Sequence, residues 1–206
     1  MTYSLIRKLA GLDALCEYYQ ELGMDVSILP DDSSEAVEKG FIRQDSGGYI
    51  KVTGRNFELV TIRARGTGRS SSDIISSKQT IPLEYHHIVR TNIADEGALK
   101  ATLKKQKKGF PSKEITGVSW EGGRLATTLN SDSGLNASIM NFITSDDGFR
   151  VEPDKKNKIV RIIFSRPSEI KGGLLQGFKF KFNRNLVPKD AVDVIDKIAG
   201  LTINFA

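Results

Sequence analysis

A helical stripe in the first 23 residues constrains this chain most. From Ser4 to Gly23, apolar side chains fall at Leu5, Leu9, Leu12, Cys16 and Tyr19, alternately four and three residues apart, and Ile6, Leu15 and Leu22 widen the stripe. That spacing predicts a helix with one apolar face. Ser4 can cap its start, and Gly23 suits the left-handed stop because it has no Cβ to clash. An apolar stripe of this kind has to be buried, either on the chain's own domain or in a seam with a second copy.

The helix is also acidic. Up to Glu38 there are two basic residues, Arg7 and Lys8, against eight acids (Asp13, Glu17, Glu21, Asp25, Asp31, Asp32, Glu35 and Glu38), a formal charge of −6. The whole chain carries +5, so the other 168 residues carry +11. An acidic arm before a basic body suggests a polyanion-binding surface, or an arm that docks on its own domain or on a partner.

At 206 residues, with 39% hydrophobic and 27% charged content, the composition is that of a globular protein of one large or two small domains. No apolar run approaches the roughly 20 residues that cross a bilayer. The first residues lack the charged, apolar and small-residue succession of a secretory leader. A single cysteine, Cys16, allows no internal disulfide. These features predict a soluble cytoplasmic protein with no membrane association.

After the helix, an acidic turn leads to expected strands at 40–43, 49–53 and 57–65, the first two joined by the hairpin-type turn 44–48. Residues 66–80 form a polar Gly/Ser tract that reads as a loop or joint. Then follow a strand at 83–91, a helix at 95–108, a hairpin of strands 114–120 and 124–129, and a helix at 133–143. Strands at 149–152, 159–164 and 175–182 and a final helix at 188–199 complete the chain. Asn130 to Ser133 offers capping oxygens for the helix at 133, and Pro188 fits the first turn of the last one. The expected class is α+β: an antiparallel or mixed sheet with helices packed on one face, in split-βαβ (ferredoxin-like) order over 83–164. The expected division is an N-terminal region 1–65, a linker 66–82 and an α+β unit 83–206, with one undivided unit as the alternative.

No motif specifies a chemistry. Gly66-Thr67-Gly68-Arg69 lacks the glycine and Lys-Ser/Thr pair of a phosphate loop, although Arg69 and the backbone there can hold an anion. The two histidines, His86 and His87, are neighbours on a strand and so point to opposite faces, which prevents a shared metal. Glu84 and His86 share a face; that arrangement supports an acid–base pair but more often marks a strand surface. Cys16 sits in the helical stripe, where cysteine behaves as a small hydrophobe. Phe178, Phe180 and Phe182 alternate with Lys179 and Lys181, which fits a core face backed by solvated lysines and, less well, a base-stacking face. On the expected helix, Lys100, Lys104, Lys107 and Lys108 share one side, and with Lys113 and Arg69 they are the candidate contacts to nucleic acid or another polyanion. Leu5, Leu9, Leu12 and Tyr19 are the candidate contacts to a partner helix. The functional expectation is a non-enzymatic binding or assembly protein acting through its first helix, without a cofactor or metal, as a homo-oligomer or with a protein partner. Nucleic-acid binding by the lysine face at 100–113, and an enzyme with no sequence-evident site, are the alternatives.

Overall fold

The computed structural model describes residues 11–29, 48–64, 78–109, 114–172, 180–183 and 186–205. Strands β1 (Asp25–Leu29), β2 (Tyr49–Thr53), β3 (Leu59–Ala64), β4 (Lys78–Arg90), β5 (Ala101–Lys108), β6 (Glu114–Gly122), β7 (Gly148–Asp154), β8 (Ile159–Gly172) and β9 (Phe180–Asn183) join in one nine-stranded sheet. The order across it is β1-β2-β3-β4-β8-β7-β5-β6, with β9 beside the far end of β8. Every neighbouring pair is antiparallel. Helices α1 (Leu12–Glu21), α2 (Glu96–Leu99), α3 (Arg124–Ser131), α4 (Ser133–Phe142) and α5 (Lys189–Asn204) complete the described elements. The class is therefore α+β. None of these helices is long and apolar enough to cross a membrane.

One apolar layer holds the helices to the sheet. Leu83, Tyr85 and Val89 of β4, Val160, Ile162 and Phe164 of β8, and Phe149 and Val151 of β7 alternate along their strands and face it. From the helices come Leu15, Cys16 and Tyr19 of α1, Leu125 and Leu129 of α3, Leu135 and Ile139 of α4, and Ala191, Ile195 and Ile198 of α5. All are buried, so the helices lie on one face, as the sequence predicts. Polar contacts fix the helix positions. The Tyr18 hydroxyl donates to the Val187 carbonyl at 2.8 Å. The Asn56 amide donates to Asp196 Oδ1 of α5 at 2.7 Å.

Several expectations hold. β2 covers the predicted span, and the first helix stops at Glu21, two residues before Gly23, whose φ of 78° is left-handed. Asp132 caps α4 by accepting from the Leu135 amide at 2.8 Å, and α5 begins directly after Pro188. Adjacent His86 and His87 do face opposite layers. The expected strand 40–43, the start of the first helix and most of the 66–80 tract lie outside the described residues. Lys78–Pro82 is strand, not linker, and pairs with Pro167–Lys171. Strand β1 is an element that the sequence pattern does not predict.

Two segments differ more. The residue pattern predicts one helix over 95–108. Asp95 does cap a helix, its carboxylate accepting from the Gly97 and Ala98 amides at 2.8 and 3.3 Å. That helix ends after one turn, and Lys100 is already extended. Ala101 and Leu103 then enter the core at strand spacing while the backbone pairs with β6 and β7, and this tertiary pairing outweighs the helix preference of Ala, Leu and Lys. Residues 124–129, predicted as the second arm of a hairpin, form α3 instead. The Gly122-Gly123 pair is the reason: it packs on a neighbouring backbone instead of turning. The Gly123 amide donates to the Lys100 carbonyl at 2.8 Å, and a Cβ on Gly123 would lie 2.0 Å from the Gly97 carbonyl oxygen. With one expected helix a strand and one expected strand a helix, the split-βαβ order is replaced by the order given above.

Gly123→Ala is thus expected to destabilise the protein by roughly 2–3 kcal/mol, because backbone must move to admit one methyl. Urea denaturation checks this, and a midpoint within error of the parent protein's would refute the close-packing explanation.

A charged row beneath an open concavity

The face of the sheet away from the helices has a different chemistry. Cross-strand register sets Thr61, His86, Ile163, Arg150, Thr102 and Glu121 side by side across β3, β4, β8, β7, β5 and β6. The next row holds Arg63, Glu84, Ser165 and Gly148. On its other side lie Leu59, Ile88, Arg161 and Glu152. Tyr49, Leu59, Ile88 and Ile159 form a small apolar cluster with Leu29 at one end. Three ionisable side chains in this layer are buried: Glu84 is 6% exposed, His86 2% and Arg161 9%.

Buried charge is costly unless it is paired, and these residues pair closely. Glu84 receives His86 Nε2 at 3.2 Å and Arg150 Nη2 at 3.1 Å. Arg150 Nε donates to Glu152 at 2.6 Å, and Arg161 meets Asp154 at 3.2 Å. Burial alone would raise the Glu84 carboxyl, but the hydrogen bonds from His86 and Arg150 outweigh it and hold the group at about 2. For His86 the balance is reversed: burial lowers its pKa more than Glu84 raises it. An ionised Glu84 only accepts, so a neutral His86 must carry its proton on Nε2. Its Nδ1 is then a buried acceptor, with no hydrogen-bond partner among the described residues.

Arg150 carries this row to the surface. It forms part of the wall of an open concavity of about 460 Å³. Lys100, Arg150 and Arg161 supply cations to the wall, Glu96, Glu152 and Asp154 supply carboxylates, and Thr102 supplies a hydroxyl. Glu96 accepts from the Lys155 amide at 2.6 Å. Among the described residues no group of three or more metal-ligating side chains occurs.

The lysines between 100 and 108 do not share a face as they would on a helix. On β5, Lys104 and Lys108 turn to the outer face with Thr102, whereas Lys105 and Lys107 turn the other way; Lys100 lies just before the strand. Lys105 Nζ donates to the carbonyls of Thr144, Ser145 and Asp147, and Lys107 Nζ to that of Ser145 at 3.3 Å. Lys104 pairs with Glu121 at 3.3 Å, and Lys108 stands opposite Glu114. Lys113 and Arg69, like Leu5 and Leu9, lie outside the described residues. Leu12 is half-buried against the chain's own core, and Tyr19 is fully buried with its hydroxyl 2.9 Å from His87 Nε2. Tyr19 is therefore a core residue. Glu84 and His86, expected as neighbours on a strand surface, do touch, but under cover. Arg150, Glu152, Arg161 and Asp154 escape the sequence pattern. Their signal is the charge alternating with apolar residues along β7 and β8, but only the register reveals which of them meet.

Comparison with models of protein families, with curated proteins and with solved structures gives no match.

Acid sensitivity follows from the two histidines. His87 is fully buried among Tyr19 and Phe57, and burial lowers its pKa to about 3. Its folded value lies below the unfolded 6.5, so the unfolded chain binds the proton first and stability falls as pH drops from 6.5 towards 3. Glu84 adds a separate loss only below about 4.5. His87→Gln is expected to remove roughly 2–3 kcal/mol of the loss between pH 6.5 and 4.5. Denaturant titrations at both pH values test this, and equal losses in parent and variant would contradict a neutral buried His87.

Proposed function

We propose that this chain is a non-enzymatic binding protein, and that it takes a small polar ligand bearing both an anionic and a cationic group into the concavity beside Arg150. One observation carries the reading: the wall brings three cations and three carboxylates together around one concavity. Lys100, which makes no ion pair among the described residues, and the Thr102 hydroxyl suit the ligand's anionic group. The carboxylates of Glu96 and Glu152, which line the same concavity, suit its cation. Ion pairs made before the ligand arrives limit the side-chain entropy lost on binding.

Other readings have less support. A polyanion needs a surplus of positive charge, yet Lys104, Arg150 and Arg161 each have a carboxylate within 3.3 Å. Base stacking needs exposed rings, and the side chains of Phe178, Phe180 and Phe182, on which that reading rests, lie outside the described residues. The described part of the first helix spends its apolar stripe on its own core, which leaves less for a partner. General acid–base chemistry is poorly served by a carboxylate held near 2 under a covered imidazole.

Thermal unfolding with free amino acids and dipeptides, citrate as an anion-only probe and spermidine as a cation-only probe tests the proposal. The zwitterions are expected to stabilise the protein, by about 2.7 kcal/mol at one hundred times Kd, and Lys100→Ala is expected to weaken that response at least tenfold in apparent affinity. No response to any zwitterion, or an equal response in Lys100→Ala, would overturn it.

A further inference from the structure

The terminal strand β6 carries a second feature, independent of the concavity. Its strand neighbour among the described residues is β5 alone, so one edge of β6 faces away from the sheet. At Trp120 the outward peptide groups are already bonded. The Trp120 amide donates to Asn130 Oδ1 at 2.7 Å, and Asn130 Nδ2 donates to the Trp120 carbonyl at 2.8 Å. A carboxamide has the donor and acceptor of a peptide group, so Asn130 of α3 occupies the position of one residue of a tenth strand. We infer that Asn130 is an edge plug, which closes β6 to strand addition by a second copy of this chain.

The surrounding contacts support that role. Asn136 stands beside the plug without bonding its carboxamide: its Nδ2 donates to the Leu129 carbonyl at 2.9 Å and its Oδ1 accepts from the Trp120 indole at 3.2 Å. The next outward pair along the strand belongs to Val118. Beyond it the ladder slips at a bulge opposite Gln106 and Lys107. Strand addition needs several outward pairs in one unbroken register, and bulges and blocked pairs are the means by which edges are kept from it. With Asn130 in place, the bulge and the plug leave only the Val118 pair between them. Without it, the run from Val118 through Trp120 towards Gly122 opens.

Asn130→Leu tests this beside Asn136→Leu, which removes contacts from the same cluster without freeing the Trp120 peptide groups. Light scattering over a concentration series is expected to show at least a doubling of average mass for Asn130→Leu, with Asn136→Leu and the parent protein unchanged relative to each other. An unchanged mass for a folded Asn130→Leu, or equal association by both variants, would overturn the inference. Hydrogen exchange of the parent protein decides the matter even where Asn130→Leu fails to fold. The Trp120 amide is expected to be protected at least tenfold more than that of Val118, and equal exchange at the two positions would rule out the plug.

Discussion

The pairing of β4 with β8 is the constraint on which the rest of the sheet depends. All thirteen residues of β4 pair with β8, from Lys78 opposite Lys171 to Arg90 opposite Ile159. β3 hangs on the free side of β4 and β7 on the free side of β8, so this ladder decides which residues face the helices across the middle of the sheet. A slip of one residue would send Glu84 and His86 into the apolar layer and Tyr85 and His87 out of it. The penalty for burying the wrong set makes the register strongly specified, and the row on the outer face is specified with it.

The two faces of that ladder solve burial differently. Towards the helices, apolar side chains interdigitate, His87 Nε2 meets the Tyr19 hydroxyl, and the Thr202 hydroxyl donates to the Ile198 carbonyl. Away from them, Glu84 and Arg161 are covered as ions and Arg150 is half-buried, at a solvation cost that close pairing offsets only in part. An apolar face would serve stability as well or better, so the charged row is a feature that stability alone does not explain. Its contact with an open concavity through Arg150 is what turns it into a candidate site.

Much of the fold is legible where one local signal dominates. The apolar stripe ending at Gly23, the alternation through 49–53, the capping oxygen of Asp132 and Pro188 ahead of the last helix each act within a few residues. The failures lie where distant partners decide. Between Lys100 and Lys108 the residue types favour helix, and only the arrival of β6 and β7 makes strand better. At Gly122 and Gly123 the same two residues that suit a hairpin turn also suit close approach to another backbone, and nothing local separates the two. The candidate site is half legible for the same reason. Glu84 and His86 are two apart on one strand, whereas Arg150 reaches them only because β7 lies beside β8.

Cys16 gives α1 a natural reporter. It is the chain's one thiol, it is buried under the helix, and burial raises its pKa, so it reacts slowly while α1 stays on the sheet. The rate at which a thiol reagent modifies it therefore measures how often that helix lifts away. Compared with the rate of global unfolding, it separates a helix that opens alone from one that leaves only when the whole sheet comes apart.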